Sequence, residues 1–95
     1  MIIETPYKNG DTVSMKLTSG EEVVARLEED KEDFLKVTKP LMLTGTQEGI
    51  GLAPFMFTID PEATVNLNKS NILCVLRTEE NMANQYIQNT TGLSV

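Results

Sequence analysis

Apolar and polar residues alternate strictly near the start of the chain. Val13, Met15 and Leu17 are interleaved with Ser14, Lys16 and Thr18, the period-two signature of a half-buried strand over about 12–18. Ser19-Gly20 breaks the run, and Val23, Ala25 and Leu27 resume it over about 21–28. A break this short joins antiparallel neighbours, and Gly20 supplies the positive φ that such a turn usually needs. A third strand follows at about 34–43, where Leu35, Val37, Leu41 and Leu43 keep the alternation. Pro40 removes one ladder hydrogen bond, so it belongs on an edge or at a bulge.

The connections are more varied. EEDKED (28–33) reads as a solvated loop, because its carboxylates would repel one another in a buried sheet. TGTQEGIG (44–51) reads as a plain Gly-rich connection. It is not a phosphate loop, since Gly-Leu-Ala stands where Gly-Lys-Ser/Thr is required. PFMFTI (54–59) predicts a fourth strand that Asp60-Pro61 interrupts, and ATVNL (63–67) continues it or begins a short partner. NKSN (68–71) reads as a tight hairpin turn deep in the fold, leading to a fifth strand, ILCVL (72–76). From Thr78 the period changes. Thr78 is placed to cap a helix over about 79–90 whose first turn carries Glu79 and Glu80. Met82, Ala83, Tyr86 and Ile87 share one helical face, and Gly92 is a plausible stop. The fold class is therefore all-β: one domain over 1–95, a strongly bent five-stranded antiparallel barrel over about 12–77, SH3-like or OB-like, with one C-terminal helix.

Composition narrows the chemistry. The chain has 95 residues, no His and one cysteine, Cys74. An internal disulfide is excluded and a zinc site is not expected. Cys74 lies within ILCVL and reads as a buried structural thiol. A domain this small buries a modest share of its surface, which makes oligomerisation a natural source of stability. MIIETPYKNG does not read as a signal peptide, and no apolar run is longer than ILCVL, so a cytoplasmic protein without membrane contact is expected. The net charge of −6 weakens non-specific attraction to phosphate, although Lys36, Lys39 and Lys69 have no carboxylate beside them in sequence. Catalysis has little to work with: there is no Ser-x-x-Lys pattern and no carboxylate pair bracketed by apolar residues. The acidic stretch lacks the Gly and spacing of a calcium loop, so no enzyme, cofactor, metal or small-molecule substrate is expected.

The spacing Leu17-x-x-Gly20-x-x-Val23-x-Ala25-x-Leu27 resembles the first motif of Sm and Sm-like RNA-binding proteins. VNLNKSNILCV (65–75) resembles their second motif, with Leu67 at the aliphatic position and Asn68-Lys69 where the family has Arg-Gly. Ser70-Asn71 and Ile72 complete that pattern, and bacterial members carry a basic pair at this turn. Register from Leu35 and Val37 places Glu32, or Asp33 after a one-residue slip, near the family's Asp. Phe34 then falls at its stacking position and Lys36 where its Asn is usual. The short N-terminal arm and the C-terminal helix resemble divergent Sm-like proteins of phage origin, including those of marine cyanophages, for which the host cytoplasm would be the compartment.

What the resemblance implies is a homo-oligomeric ring of five to seven subunits that binds single-stranded RNA, or DNA, at its inner rim. Phe34 would stack on bases, Asn68 would bond their edges, and Lys36 with Lys69 would meet phosphate, with Glu32 and Asp33 beside them. The resemblance also implies that strand edges near Phe55, Phe57 and Ile59 pair with Leu73, Val75 and Leu76 of the next subunit. Each residue has a plainer reading: a core aromatic for Phe34, solvated lysines, and turn-forming asparagines. The acidic balance favours a rival, a structural or virion-associated protein-interaction ring that binds no nucleic acid.

Overall fold

The computed structural model describes residues 7–91. Six strands, one 3-10 turn and one helix follow in order: β1 (Thr12–Leu17), β2 (Glu22–Asp30), β3 (Phe34–Thr46), β4 (Gly49–Pro54), β5 (Thr64–Asn68), the turn Lys69–Asn71, β6 (Ile72–Arg77) and α1 (Glu80–Thr91). Every strand pairing is antiparallel. The first hairpin forms as the alternation predicts, with Gly20 at φ +106 and its N–H donating to the Leu17 carbonyl at 2.9 Å. Val13, Met15, Leu17, Val23, Ala25, Leu27, Leu35 and Val37 form one buried cluster. These are the inward positions of the period-two pattern.

β3 organises the sheet. One edge pairs with β2, from Asp30↔Leu35 to Val23↔Met42. Its other edge carries two strands in succession: β5 along Phe34–Thr38 and β4 along Leu41–Thr46. Between those two stretches lie Lys39, at φ +53, and Pro40, beside a register shift against β2 between Val24 and Arg26. Pro40 thus sits at a bulge, which accommodates its missing donor. The left-handed backbone at Lys39 is unusual for a non-glycine residue and turns the strand sharply.

The complete order is β4 and β5 on one flank, then β3, β2, β1 and β6. β5 and β6 therefore occupy opposite flanks, yet only Lys69–Asn71 separate them. Three residues span roughly 10 Å at most, so the sheet must curl until its flanks are close. Curled is not closed: among the described residues no ladder joins β5 to β6, and the expected barrel closure is absent.

Several expectations change. The Gly-rich stretch 44–51 is a two-residue β3–β4 hairpin, not a loop, with Thr46 opposite Gly49 at φ +128. The strand expected at 54–59 is absent; only Pro54 belongs to β4, and the segment after it is irregular. In place of the run expected at 63–67, Thr64–Asn68 form a separate short strand, so six strands replace five. The segment 68–71 is a linker between strands that pair elsewhere, not a hairpin turn deep in the fold. Cys74 is exposed because it stands opposite Lys16 on the outward face, while its neighbour Val75 stands opposite Met15 and packs on the core.

The helix begins one residue later than expected. Glu79 caps it, its carboxylate accepting from the N–H groups of Asn81 at 2.8 Å and Met82 at 3.2 Å. Thr78 instead ties down β1: its N–H donates to the Thr12 carbonyl at 3.0 Å, and its hydroxyl lies 2.8 Å from that of Ser14. The proposed stop at Gly92 lies outside the described residues. No described helix is long and apolar enough to cross a membrane.

Of the helical apolar stripe, Tyr86 is buried, Met82 and Ala83 are half-buried and Ile87 is exposed. The Tyr86 hydroxyl donates toward the carbonyls of Lys39 at 2.7 Å and Thr38 at 3.2 Å. It thereby gives a partner to the carbonyl of Lys39, which has no register partner in either ladder of β3. Burial pushes the Tyr86 phenol up to about 12. Because the folded value lies above the unfolded value near 10, this group stabilises the fold below about pH 10, and that contribution fades as pH rises toward about 12. Tyr86→Phe should cost about 1–3 kcal/mol at neutral pH by stranding those carbonyls. Urea midpoints of both proteins measured across that alkaline range should converge as pH rises; a constant gap would contradict this account.

Candidate nucleic-acid interface

Residues directly opposite in an antiparallel ladder project from the same face of the sheet. Phe34 stands opposite Asn68, and Lys36 opposite Asn66. Leu35 and Val37, with Leu67 and Val65 across from them, take the inward face. Phe34, Lys36, Asn66 and Asn68 therefore make one outward row where β3 and β5 meet. Phe34 and Lys36 are half-buried, and both asparagines are exposed.

Backbone hydrogen bonds fix the end of this row. The Lys31 N–H donates to the Phe34 carbonyl at 2.9 Å, closing a three-residue β2–β3 loop of Lys31, Glu32 and Asp33. The Lys69 N–H donates to the Asp33 carbonyl at 2.9 Å, joining that loop to the β5–β6 turn. The turn is held by Asn68, whose Oδ1 accepts from the Ser70 N–H and hydroxyl, each at 3.0 Å. That carbonyl is committed to structure, which leaves the exposed Asn68 amide NH2 as the group able to meet a ligand.

The structure thus brings Asp33, Phe34, Lys36, Asn68 and Lys69 together, although about thirty residues of chain separate the two groups. Glu32 is exposed at the loop tip. The acidic stretch is not all loop, as its repulsion suggested; Glu28, Glu29 and Asp30 complete β2 because each has a partner. Glu28 accepts from the Thr38 hydroxyl at 2.9 Å. Glu29 lies 3.5 Å from the Lys36 Nζ and 3.6 Å from that of Lys31. Asp30 holds the Lys69 Nζ at 2.6 Å.

The lysines that lack acidic neighbours in sequence have them across strands, including Lys39, which is 3.9 Å from Glu62. The Lys69 amine is raised above its ordinary value, chiefly by its hydrogen bond to Asp30. Half-buried Tyr7 completes this corner. Its phenol is raised by burial, then by the charge of Asp30 and a hydrogen bond to it.

Tyr7, Glu29, Asp30 and Asn66 were not singled out from sequence. Asn66 was legible, since it is two residues from Asn68 on the same strand. Tyr7 had no sequence signal, because its place depends on packing against the core and on Asp30, which lies far along the chain. No group of His, Cys, Asp and Glu that could hold a metal ion occurs among the described residues.

The residues assigned to strand-edge pairing scatter. Phe57 and Leu73 are strongly exposed, at 77% and 66%, and Leu76 is half-exposed. Phe55 and Val75 pack on the core instead, and Ile59 is half-buried in the irregular segment. No protein-family model matches the chain, and no curated protein matches it.

Asn68 should matter to the turn before it matters to any ligand. Asn68→Ala should cost about 0.5–2 kcal/mol through loss of the cap, whereas Asn68→Asp should retain most of the stability. Thermal melts of the two variants test this, and equal losses would show that the side-chain cap contributes nothing.

Proposed function

We propose that this chain is a subunit of an Sm-like homo-oligomeric ring that binds single-stranded RNA, or single-stranded DNA, through the row led by Phe34 and Asn68. One observation carries the reading: the β2–β3 loop and the β5–β6 turn, distant in sequence, are stitched together with an aromatic ring opposite an amide. A flat side chain offers stacking to any unpaired base, worth about 1–3 kcal/mol per base. The amide NH2 of Asn68 donates to a base edge; Lys36 lies in the same outward row and Lys69 follows Asn68 in the turn, each paired with a carboxylate of β2.

The sheet also supports assembly. β6 and the β4–β5 flank each pair on one side only among the described residues, and open edges favour pairing with another copy. Leu73 and Leu76 on β6 are exposed apolar groups that a neighbour would cover. Head-to-tail pairing of such edges closes into a ring when the rotation allows, and repetition around it multiplies weak contacts. A second reading, a protein-interaction or virion-associated scaffold ring, is favoured by one observation: Lys36 and Lys69 are both engaged by carboxylates.

Anisotropy of labelled oligo-U and oligo-A, titrated at low and moderate salt with oligomer of defined size, tests the proposal. Phe34→Leu keeps apolar bulk but removes the flat face, and should weaken binding about fivefold or more. Phe34→Trp should bind at least as well as the parent. Absence of binding at low salt, or indifference to Phe34→Leu, would leave the scaffold as the better reading. A monomer in sedimentation at micromolar concentration would refute the ring.

A further inference from the structure

The lysines at the candidate site are not waiting for phosphate. Lys69 is held at 2.6 Å by Asp30, while Lys36 and Lys31 share Glu29 at 3.5 and 3.6 Å. Glu29 stands opposite Lys36 in the outward row, whereas Asp30 stands opposite Leu35 and so leaves β2 on the other face, where it meets the Lys69 amine of the β5–β6 turn and the phenol of Tyr7. Across Glu29–Lys36 plus Lys69, three lysines face four carboxylates: Glu29, Asp30, Glu32 and Asp33.

We infer that Glu29 and Asp30 are specificity-determining residues, acting as internal phosphate mimics that make the site selective for unpaired bases over duplex. This rests on the proposed nucleic-acid reading of the same site and adds what that reading does not contain. The physical argument is one of exchange. A lysine already neutralised by a fixed carboxylate gains little from a phosphate, and releases few counterions when the phosphate replaces that partner. Moving the phosphate in also leaves the carboxylate unpaired beside it. A duplex offers the site mainly phosphates, so its binding is nearly cancelled. A single strand additionally offers base faces to Phe34 and base edges to Asn68, and those contacts are untouched by the exchange. Selectivity then comes from suppressing the electrostatic term that every nucleic acid shares.

The test removes the mimics without changing shape. Glu29→Gln with Asp30→Asn, and Asp30→Asn alone, are compared with the parent against oligo-U and against an RNA duplex of equal phosphate number. The double variant should bind duplex at least about fivefold more tightly at low salt, with the log–log salt dependence for duplex steeper by about 0.9 for each lysine released. Its preference for single strand over duplex should fall about threefold or more, because stacking is unchanged. If the parent binds oligo-U but the variants keep the same preference and salt slope, the inference is overturned while the nucleic-acid reading stands. If the parent binds neither probe and the double variant binds both alike, the carboxylates do mask the lysines, and the nucleic-acid reading fails instead. If no protein binds either probe, both fail.

Discussion

The bend in β3 at Lys39-Pro40 is the constraint on which the rest of this molecule depends. A straight strand of that length would present one continuous edge to one partner. Breaking it divides the edge, so that β5 takes the first part and β4 the second. The break removes backbone groups from the ladder and places Lys39 at φ +53, both of which disfavour the fold unless compensated. The Tyr86 hydroxyl supplies the compensation from the C-terminal helix. Among the described residues of the helix Tyr86 alone is buried, and that side chain ties the helix to the bend. Its task is to satisfy two carbonyls rather than to cover an apolar face.

Charge at the candidate site follows from the same arrangement. Because β5 runs beside the first part of β3, and β2 beside the other edge, carboxylates of β2 and lysines of β3 and the β5–β6 turn converge at one corner. Exposed ion pairs of this kind contribute little to stability. Their consequence lies in what the lysines can do for an incoming polyanion. Net charge alone misjudges this corner, since three positive side chains are present and each is already answered.

How much of this was legible in the sequence depends on the range of the interaction concerned. Val13 through Val37 announce their buried positions because alternation is a local signal and the core simply follows it. The Gly20 turn and the bulge at Pro40 were equally readable, each from one residue's backbone chemistry. The segment PFMFTI misled, because its apolar aromatic composition mimics a strand while the chain leaves the β3 ladder after Pro54 and pairs with no strand there. Thr78 misled in another way: its hydroxyl is a good cap in isolation, but Ser14 on β1 claimed it, and Glu79 took over. At the site, Phe34, Asn68 and Lys69 were placed from motif spacing. Asp30 and Glu29 were seen only as a repelling acidic run, since their lysine partners arrive from across the sheet. The barrel failed as an expectation because closure depends on β5 and β6 pairing with each other, which no local pattern encodes.

The topology also dictates an order of events during folding. β1, β2, β3 and β4 form a meander whose successive strands meet through short turns, so each pairing closes only a small loop. β5 must return to β3 across the β4 hairpin and the irregular segment after it, and β6 must reach β1 across most of the chain. Loop-closure entropy makes those pairings the slow ones. Phe34 therefore meets Asn68, and Lys69 meets Asp30, only after the core residues of the meander are packed. The corner proposed to recognise nucleic acid is thus built from long-range pairings rather than from the local hairpins that make the core.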